Sequence, residues 1–378
     1  MKQFAVISPA TLENTQVIGR VSRIIPAVSG RRYTIHLSGL HWPYQLCSTT
    51  DSKASSHMFR YVEDPHLAVG DVLEISDSNC YVHYSSTSND NCIVVTNACN
   101  ERCINCPQPD KTKNPGLPER NAQLIKLLPK DVQMIALTGG EPTVDFPELL
   151  HLIKALYARN ADVHIDVLTN GIELSDFSRM AELGKALKKQ TSTFCITLYG
   201  DIPSIHDAHT RTPGSFAKVH RALHHLAYYG YSIELRYLIT SMNYQRLPAF
   251  IEYVYDNFPF IDHISIMGME FSGDAAVNAN QLFVAGDVYK ALLLTAVQKA
   301  VMRDIPIFIY NYQVCLLPKQ LWRFAVASIS DWKTGYYSQC DQCDVKGYCG
   351  GFFTTSDPDY IPATITPISL DYHDQEVI

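Results

Sequence analysis

The chain has 378 residues, 46% of them hydrophobic and 18% charged, with a formal net charge of −7. That length is too great for one small core and suits a large α/β domain with an appendage at each end, divided as residues 1–88, 89–305 and 306–378. The acidic balance offers no basic stripe for nucleic acid, and no apolar run is long enough to cross a membrane, so both are set aside as partners.

The first 88 residues are strand-like and turn-rich. Val17–Val21, Arg32–Leu37 and Asp71–Ile75 alternate apolar with polar residues, which predicts a small β-rich domain. It carries no chemical motif and reads as a packing or docking module. The N-terminus lacks the long apolar core and small-residue cleavage site of a signal peptide, so a cytoplasmic protein is expected. Eleven cysteines in a reducing compartment point to metal rather than disulfides. Seven of them fall in two groups. Cys47, Cys80, Cys92 and Cys195 stand apart and read as small buried hydrophobes.

From Cys92 onward strands alternate with amphipathic helices, the pattern of a parallel sheet. Cys92–Asn97 is the first strand, and Pro118–Leu128 the first helix. Gln133–Thr138 is the second strand, followed by a helix with Asp145 as its N-cap. Val163–Leu168 is the third strand, with Ser175 capping the next helix. Phe194–Leu198 is the fourth, followed by a helix capped by Ser215 and closed by Gly230. Ile233–Ile239 and His263–Met267 complete six repeats, enough for an open (β/α)6 barrel whose function gathers at the C-terminal strand ends.

Two motifs sit at such ends. Cys99-Asn100-Glu101-Arg102-Cys103-Ile104-Asn105-Cys106 follows the first strand with C-x3-C-x2-C spacing. Three thiolates rather than four leave one iron of a [4Fe–4S] cube open to a ligand. Gly139-Gly140-Glu141-Pro142 follows the second strand, where a bulky side chain would keep the backbone away from a ligand. By itself that turn also suits an ordinary strand-to-helix connection.

Other strand ends carry polar candidates. Asn170 ends the third strand and is either a ligand contact or part of an Asn-Gly turn. Tyr199-Gly200-Asp201 ends the fourth, with Ser204 beyond. Arg236, within the fifth strand, could face a carboxylate or pair with Glu234. Gly268 and Glu270 follow the sixth. His206 and His209 read as turn-capping residues ahead of bases or ligands. His220 and His224 lie one helical turn apart without a third ligand, so a solvated helix face is expected. Near the C-terminus, Cys340, Cys343 and Cys349 have C-x2-C-x5-C spacing, with Cys315 upstream. Four thiolates suit a structural zinc or a fully ligated iron–sulfur cluster, and spacing does not separate them.

The cysteine triplet and Gly139–Pro142, one βα unit apart, resemble the signatures of the radical S-adenosylmethionine (SAM) superfamily. From about Val94 to Phe353 the chain further resembles radical SAM maturases of ribosomally made peptides, and among them the His-Xaa-Ser system maturase family, HxsC. Cys106-Pro107-Gln108-Pro109, the Leu198–Phe216 segment and Ser328-Ile329-Ser330-Asp331-Trp332 carry that resemblance. It implies a partial (β/α)6 TIM-like barrel. Cys99, Cys103 and Cys106 would bind the SAM-cleaving [4Fe–4S] cluster. Gly139, Gly140, Glu141, Pro142, Asn170 and Arg236 would contact SAM, Arg236 facing its carboxylate.

The resemblance also favours a second, auxiliary [4Fe–4S] cluster at Cys315, Cys340, Cys343 and Cys349, with zinc as the competing occupant. It implies reductive cleavage of SAM to a 5′-deoxyadenosyl radical that takes a hydrogen atom from a ribosomal precursor peptide bearing His-Xaa-Ser repeats. Crosslinking, epimerisation and oxidation are the outcomes open to such a radical, and no catalytic acid or base is identified. An electron donor such as flavodoxin or ferredoxin is implied, and a partner maturase is a further candidate. The competing functions are a radical SAM enzyme for a nucleoside or other small molecule, and a non-catalytic iron–sulfur or zinc scaffold.

Overall fold

The structure is a computed structural model. It describes residues 2–7, 17–26, 33–38, 44–48, 59–61, 67–76, 79–108, 111–356, 360 and 365–370. Arg32, Pro109 and the side chain of Cys47 lie outside that set. The chain divides into two compact units. Met1–Val95, Asn114–Gly139 and Phe146–Ile165 make one, and Thr96–Lys113, Gly140–Asp145 and Asp166–Ile378 the other.

In the first unit seven strands close into a barrel. They are β1 (Lys2–Ile7), β2 (Val17–Pro26), β3 (Tyr33–Ser38), β4 (Tyr44–Ser48), β5 (Phe59–Tyr61), β6 (Val72–Ser76) and β7 (Asn79–Tyr84), in the order β1-β5-β4-β3-β2-β6-β7. β1 pairs antiparallel with both β5 and β7, which leaves no open edge. The alternation noted in the sequence fills the interior: Val17, Val21, Ile35, Leu37, Leu73 and Ile75 are buried together. Cys80 joins them, and burial raises its thiol far above the ordinary range.

β8 (Cys92–Thr96), α1 (Leu117–Leu127), β9 (Met134–Gly139), α2 (Phe146–Arg159) and β10 (His164–Thr169) begin the βα series. It continues with α3 (Phe177–Ala186), β11 (Ser192–Thr197), α4 (Pro203–Thr210), α5 (Ser215–Tyr229), β12 (Ser232–Leu238), α6 (Leu247–Asn257) and β13 (His263–Met267). Next come α7 (Gly273–Val277), α8 (Ala279–Leu282), α9 (Gly286–Met302), β14 (Ile307–Tyr310) and β15 (Ala325–Val326). β8 to β15 form an eight-stranded parallel sheet in chain order. The expected α/β fold is present, and two strands, β14 and β15, extend the sheet past the sixth expected one. A two-stranded ribbon, β16 (Thr334–Gly335) with β17 (Phe352–Phe353), lies among the C-terminal cysteines.

Two helix starts differ from expectation. Ser175 closes a 3-10 turn by donating to the Ile172 carbonyl at 2.7 Å, and Asp176 caps α3 by accepting from Ser178 N at 2.8 Å. Ser215 is the first residue of α5 rather than its cap. There the carboxylate of Asp207 reaches across from α4, accepting from Phe216 N at 2.9 Å and Gly214 N at 2.6 Å. An acceptor-only carboxylate satisfies free helix N–H groups better than a hydroxyl does. Cys195 is buried as expected, whereas Cys92 opens β8 with its side chain exposed.

Candidate cofactor site

The cysteine loop leaves the end of β8 and is held on two sides through its backbone. Ile104 N donates to His209 O at 2.8 Å and Arg102 N to Thr210 O at 3.2 Å, so the last carbonyls of α4 carry one side. On the other side Asp274 N donates to Cys106 O at 2.9 Å, and the Asn278 side-chain amide to Ile104 O at 3.1 Å. Gly273, at φ +56°, comes so close that a β-carbon there would sit 2.7 Å from Pro107 O. The segment around His206 and His209 therefore acts first as a support for the cysteines.

The three thiols are half-buried. Burial pushes the thiols of Cys99 and Cys103 above their ordinary range, so deprotonation needs a cation to offset it. Two side chains that the sequence did not single out sit against the sulfurs. Cys103 Sγ donates to Glu101 Oε2 at 3.4 Å, and Lys111 Nζ donates to Cys106 Sγ at 2.7 Å. Glu101 is buried, which pushes its carboxyl up to about 7.

The glycine turn is locked onto the same loop. Gly140 N donates to Thr96 O at 2.8 Å and Glu141 N to Ala98 O at 2.9 Å. A β-carbon at Gly140 would lie 2.3 Å from Asn97 O and 2.5 Å from Ala98 O. The glycine is thus required by the cysteine loop's own backbone, whatever ligand the turn meets. Gly139, at φ +146°, adopts a conformation that other residues rarely take. Pro142 is buried and opens a 3-10 turn.

The Glu141 carboxylate is spent on protein groups. Oε1 accepts from Thr143 N at 2.9 Å, Thr143 Oγ1 at 2.5 Å and Thr169 Oγ1 at 2.6 Å, while Oε2 accepts from Asn170 N at 2.6 Å. Asn170 makes its Asn-Gly turn, Oδ1 accepting from Ile172 N at 3.0 Å, and its amide donates to Asn100 Oδ1 at 2.7 Å. Both expected SAM contacts therefore also bind the end of β10 to the cysteine loop.

Arg236 pairs with a carboxylate of its own strand. Its Nε and Nη2 lie 3.0 and 2.9 Å from the two oxygens of Glu234, two residues away on the same face of β12. Burial would raise the Glu234 carboxyl, but the adjacent guanidinium outweighs it and holds the group at about 2. Glu270 is likewise engaged, accepting from Lys333 Nζ at 2.7 Å and Thr355 Oγ1 at 2.6 Å. Gly268 allows close approach to Asn311 O, which an added β-carbon would meet at 2.7 Å.

His209 is fully used, with Ile205 O at 2.7 Å, Thr240 Oγ1 at 2.8 Å and its ring stacked on Tyr199. His206 Nδ1 accepts from Tyr199 N, leaving Nε2 buried without a partner, and burial lowers the ring to about 4. The Tyr199 hydroxyl accepts from the Asn105 amide at 3.2 Å. Asp201 pairs with Arg246, and Ser204 is exposed in the first turn of α4. His220 and His224 pack with Phe258 in an aromatic cluster.

Cys315, Cys340, Cys343 and Cys349 line one pocket, walled by Val345, Phe352, Ile365 and Pro367. Ile368 N donates to Cys343 Sγ at 3.3 Å and Gly351 N to Cys349 Sγ at 3.4 Å. Burial, and then the charges of the other three thiols, push Cys315 up to about 11. Mutual repulsion of that kind is relieved by a bound cation. Among the described residues no three His, Cys, Asp or Glu side chains are drawn together closely enough to hold a single metal ion.

Residues 93–254 match the family model for the Radical SAM superfamily. Among solved structures the chain is similar to Streptococcus suis SuiB bound to S-adenosylmethionine, at 15% identity and TM-score 0.48, over 60% of this chain and 51% of that one. SuiB bound to its precursor peptide SuiA gives 13% identity and TM-score 0.47, over 60% and 49%. The enzyme anSMEcpe with bound AdoMet and Cp18Cys peptide gives 16% and 0.45, over 57% and 62%. The chain thus spans about half to three fifths of the length of these structures. No curated protein matches the chain.

The match over residues 93–254 is to a superfamily whose name implies S-adenosylmethionine and, with three thiolates, a [4Fe–4S] cluster. The residues present fit that pair. Three thiols share one braced loop, and the acceptors Glu101 Oε1 and Asn105 Oδ1 are buried there without partners. Such atoms are costly unless a bound group satisfies them. Glu101 and Asn105 occupy variable positions of the cysteine motif, where spacing alone gives no signal for them.

Proposed function

We propose that the chain modifies a ribosomally made precursor peptide by radical chemistry, with Cys99, Cys103 and Cys106 holding the SAM-cleaving cluster. The observation that carries this reading is the locking of Gly140 and Glu141 onto the backbone of Thr96–Ala98, which sets the glycine turn directly beside the thiols. Bound together, the cluster and SAM supply a one-electron cleavage and a carbon radical able to take a hydrogen atom from an unactivated C–H bond.

The chain's own residues do the rest. Glu141 draws Thr143, Thr169 and Asn170 together, so the ends of β9 and β10 hold one shape around the cofactors. Gly139 and Pro142 shape the turn that SAM would meet, and Asn170 ties the cysteine loop at Asn100, next to its first cysteine. Glu101, Asn105 and His206 offer unpaired buried atoms to whatever is bound. Arg236 keeps Glu234 ionised on β12 and is the residue assigned to the SAM carboxylate.

Cys315, Cys340, Cys343 and Cys349 hold an auxiliary [4Fe–4S] cluster. Four thiols lining one pocket, with backbone N–H groups aimed at two of the sulfurs, support a bound metal group there, and the motif resemblance favours the cluster over zinc. Residues 1–88, 89–305 and 306–378 serve as docking, core and auxiliary-cluster segments. The substrate is a peptide with His-Xaa-Ser repeats, and a flavodoxin or ferredoxin supplies electrons. The motif resemblance from Cys99 to Trp332 supports these last assignments.

The test is anaerobic turnover of the reconstituted full chain with SAM and dithionite, with and without a synthetic peptide bearing His-Xaa-Ser repeats. Release of 5′-deoxyadenosine and a mass change in the peptide support the reading. Turnover of SAM with an unchanged peptide overturns the peptide assignment.

A further inference from the structure

Lys111 follows the cysteine motif by five residues, and its side chain meets that motif. Its ammonium donates to Cys106 Sγ at 2.7 Å. Among the described residues no carboxylate is paired with it. Its neighbour in sequence Lys113 instead meets Asp145, at 3.1 Å, and its side chain is 71% exposed. Two lysines two residues apart therefore have different surroundings: one contacts a sulfur, the other a surface carboxylate.

We propose that Lys111 sets the reduction potential of the cluster held by Cys99, Cys103 and Cys106. The inference rests on that cluster assignment and deepens it. Reduction adds one electron from dithionite to the [4Fe–4S]2+ state and gives [4Fe–4S]+, with no bond made or broken and no proton moved. The reduced state carries one more negative charge on the cube and its sulfurs. A cation donating a hydrogen bond to a ligand sulfur favours that state and raises the potential. Lys111 does not touch substrate in this scheme and is a positioning residue of the electrostatic kind.

The experiment is a redox titration of the full, reconstituted chain, followed by EPR on the cluster whose signal changes when SAM is added. Lys111→Gln is expected to lower the ratio of reduced to oxidised cluster at a fixed potential by about tenfold, or 59 mV for one electron. Lys111→Arg keeps charge and donors and is expected to restore most of it. Lys113→Gln is expected to leave the ratio unchanged. An equal ratio in Lys111→Gln and wild type overturns the inference, as does an equal shift in Lys113→Gln, which would mark bulk charge. Loss of the cluster from either Lys111 variant overturns it too, because a tuning residue leaves loading intact. A wild-type chain with no SAM-responsive cluster overturns the functional assignment itself, and this inference with it.

Discussion

The side-chain amide of Asn170 donates to Asn100 Oδ1 at 2.7 Å, joining the end of β10 to the residue that follows Cys99. Asn100 passes the link on, donating to Glu173 at 3.2 Å. Asn170→Ala breaks the link and leaves a half-buried acceptor unmet. It is expected to cost about 1–3 kcal/mol, read by denaturant unfolding. Asn170→Asp keeps the Asx turn but brings a second anion beside Glu141, and is expected to cost more than the alanine. A variant as stable as wild type would show that the link carries no load.

Cys103→Ala is expected to abolish reductive cleavage of SAM while leaving the fold intact. Chromatographic assay of 5′-deoxyadenosine under dithionite reads this directly. Formation at the wild-type rate in the reconstituted variant would move the cluster elsewhere.

Gly140→Ala places a carbon 2.3 Å from a backbone oxygen that has no soft way to retreat. Overpacking of this kind costs about 1–3 kcal/mol, and here the displaced backbone belongs to the cysteine loop. The expected result is a destabilised chain that binds less iron after reconstitution. Full iron content together with wild-type stability would show that the loop is more pliant than its contacts imply.

Arg236→Met leaves Glu234 buried without its cation, at an expected cost of about 3–5 kcal/mol near neutral pH. In the wild type the Glu234 carboxyl is lowered from its usual 4.5 to about 2. Its contribution is therefore complete above 4.5 and lost as pH falls towards 2. The gap between wild type and variant should shrink on acidification across that window. Glu234→Gln combined with Arg236→Met should recover much of the loss. A pH-independent gap in unfolding free energy would count against an electrostatic origin.

Cys340→Ala is expected to reduce iron from about eight to about four atoms per chain in anaerobic iron and sulfide analysis, the difference of one cubane. Four irons and one zinc in the wild type would replace the auxiliary cluster with a zinc site.

The chemistry-bearing segments were legible because their signals are local. Three cysteines at fixed spacing and a glycine turn after a strand need no partner to be noticed. The strands between Cys92 and Met267 were legible through period and punctuation, within a residue or two at most ends. Partners that depend on side chains from distant positions were not. Nothing near Ser215 announces that Asp207 caps α5, because the carboxylate arrives from the preceding helix. Nothing in Cys99–Cys106 announces that the Lys111 side chain meets Cys106, since a lone lysine outside the motif carries no periodic signal. For Arg236 the sequence left two partners open, and the geometry gives it to Glu234 because i and i+2 side chains share a face of a strand. β14 and β15 escaped notice because four and two residues are too few to show a period.

The carbonyls of His209 and Thr210 that receive the cysteine loop belong to α4, which contains no cysteine. The loop's course thus rests on backbone hydrogen bonds to groups that carry no thiol, as well as on whatever its cysteines hold. A single cysteine-to-alanine variant of the triplet should accordingly stay folded, which its denaturant midpoint reads; loss of cooperative unfolding would show that these backbone bonds do not suffice.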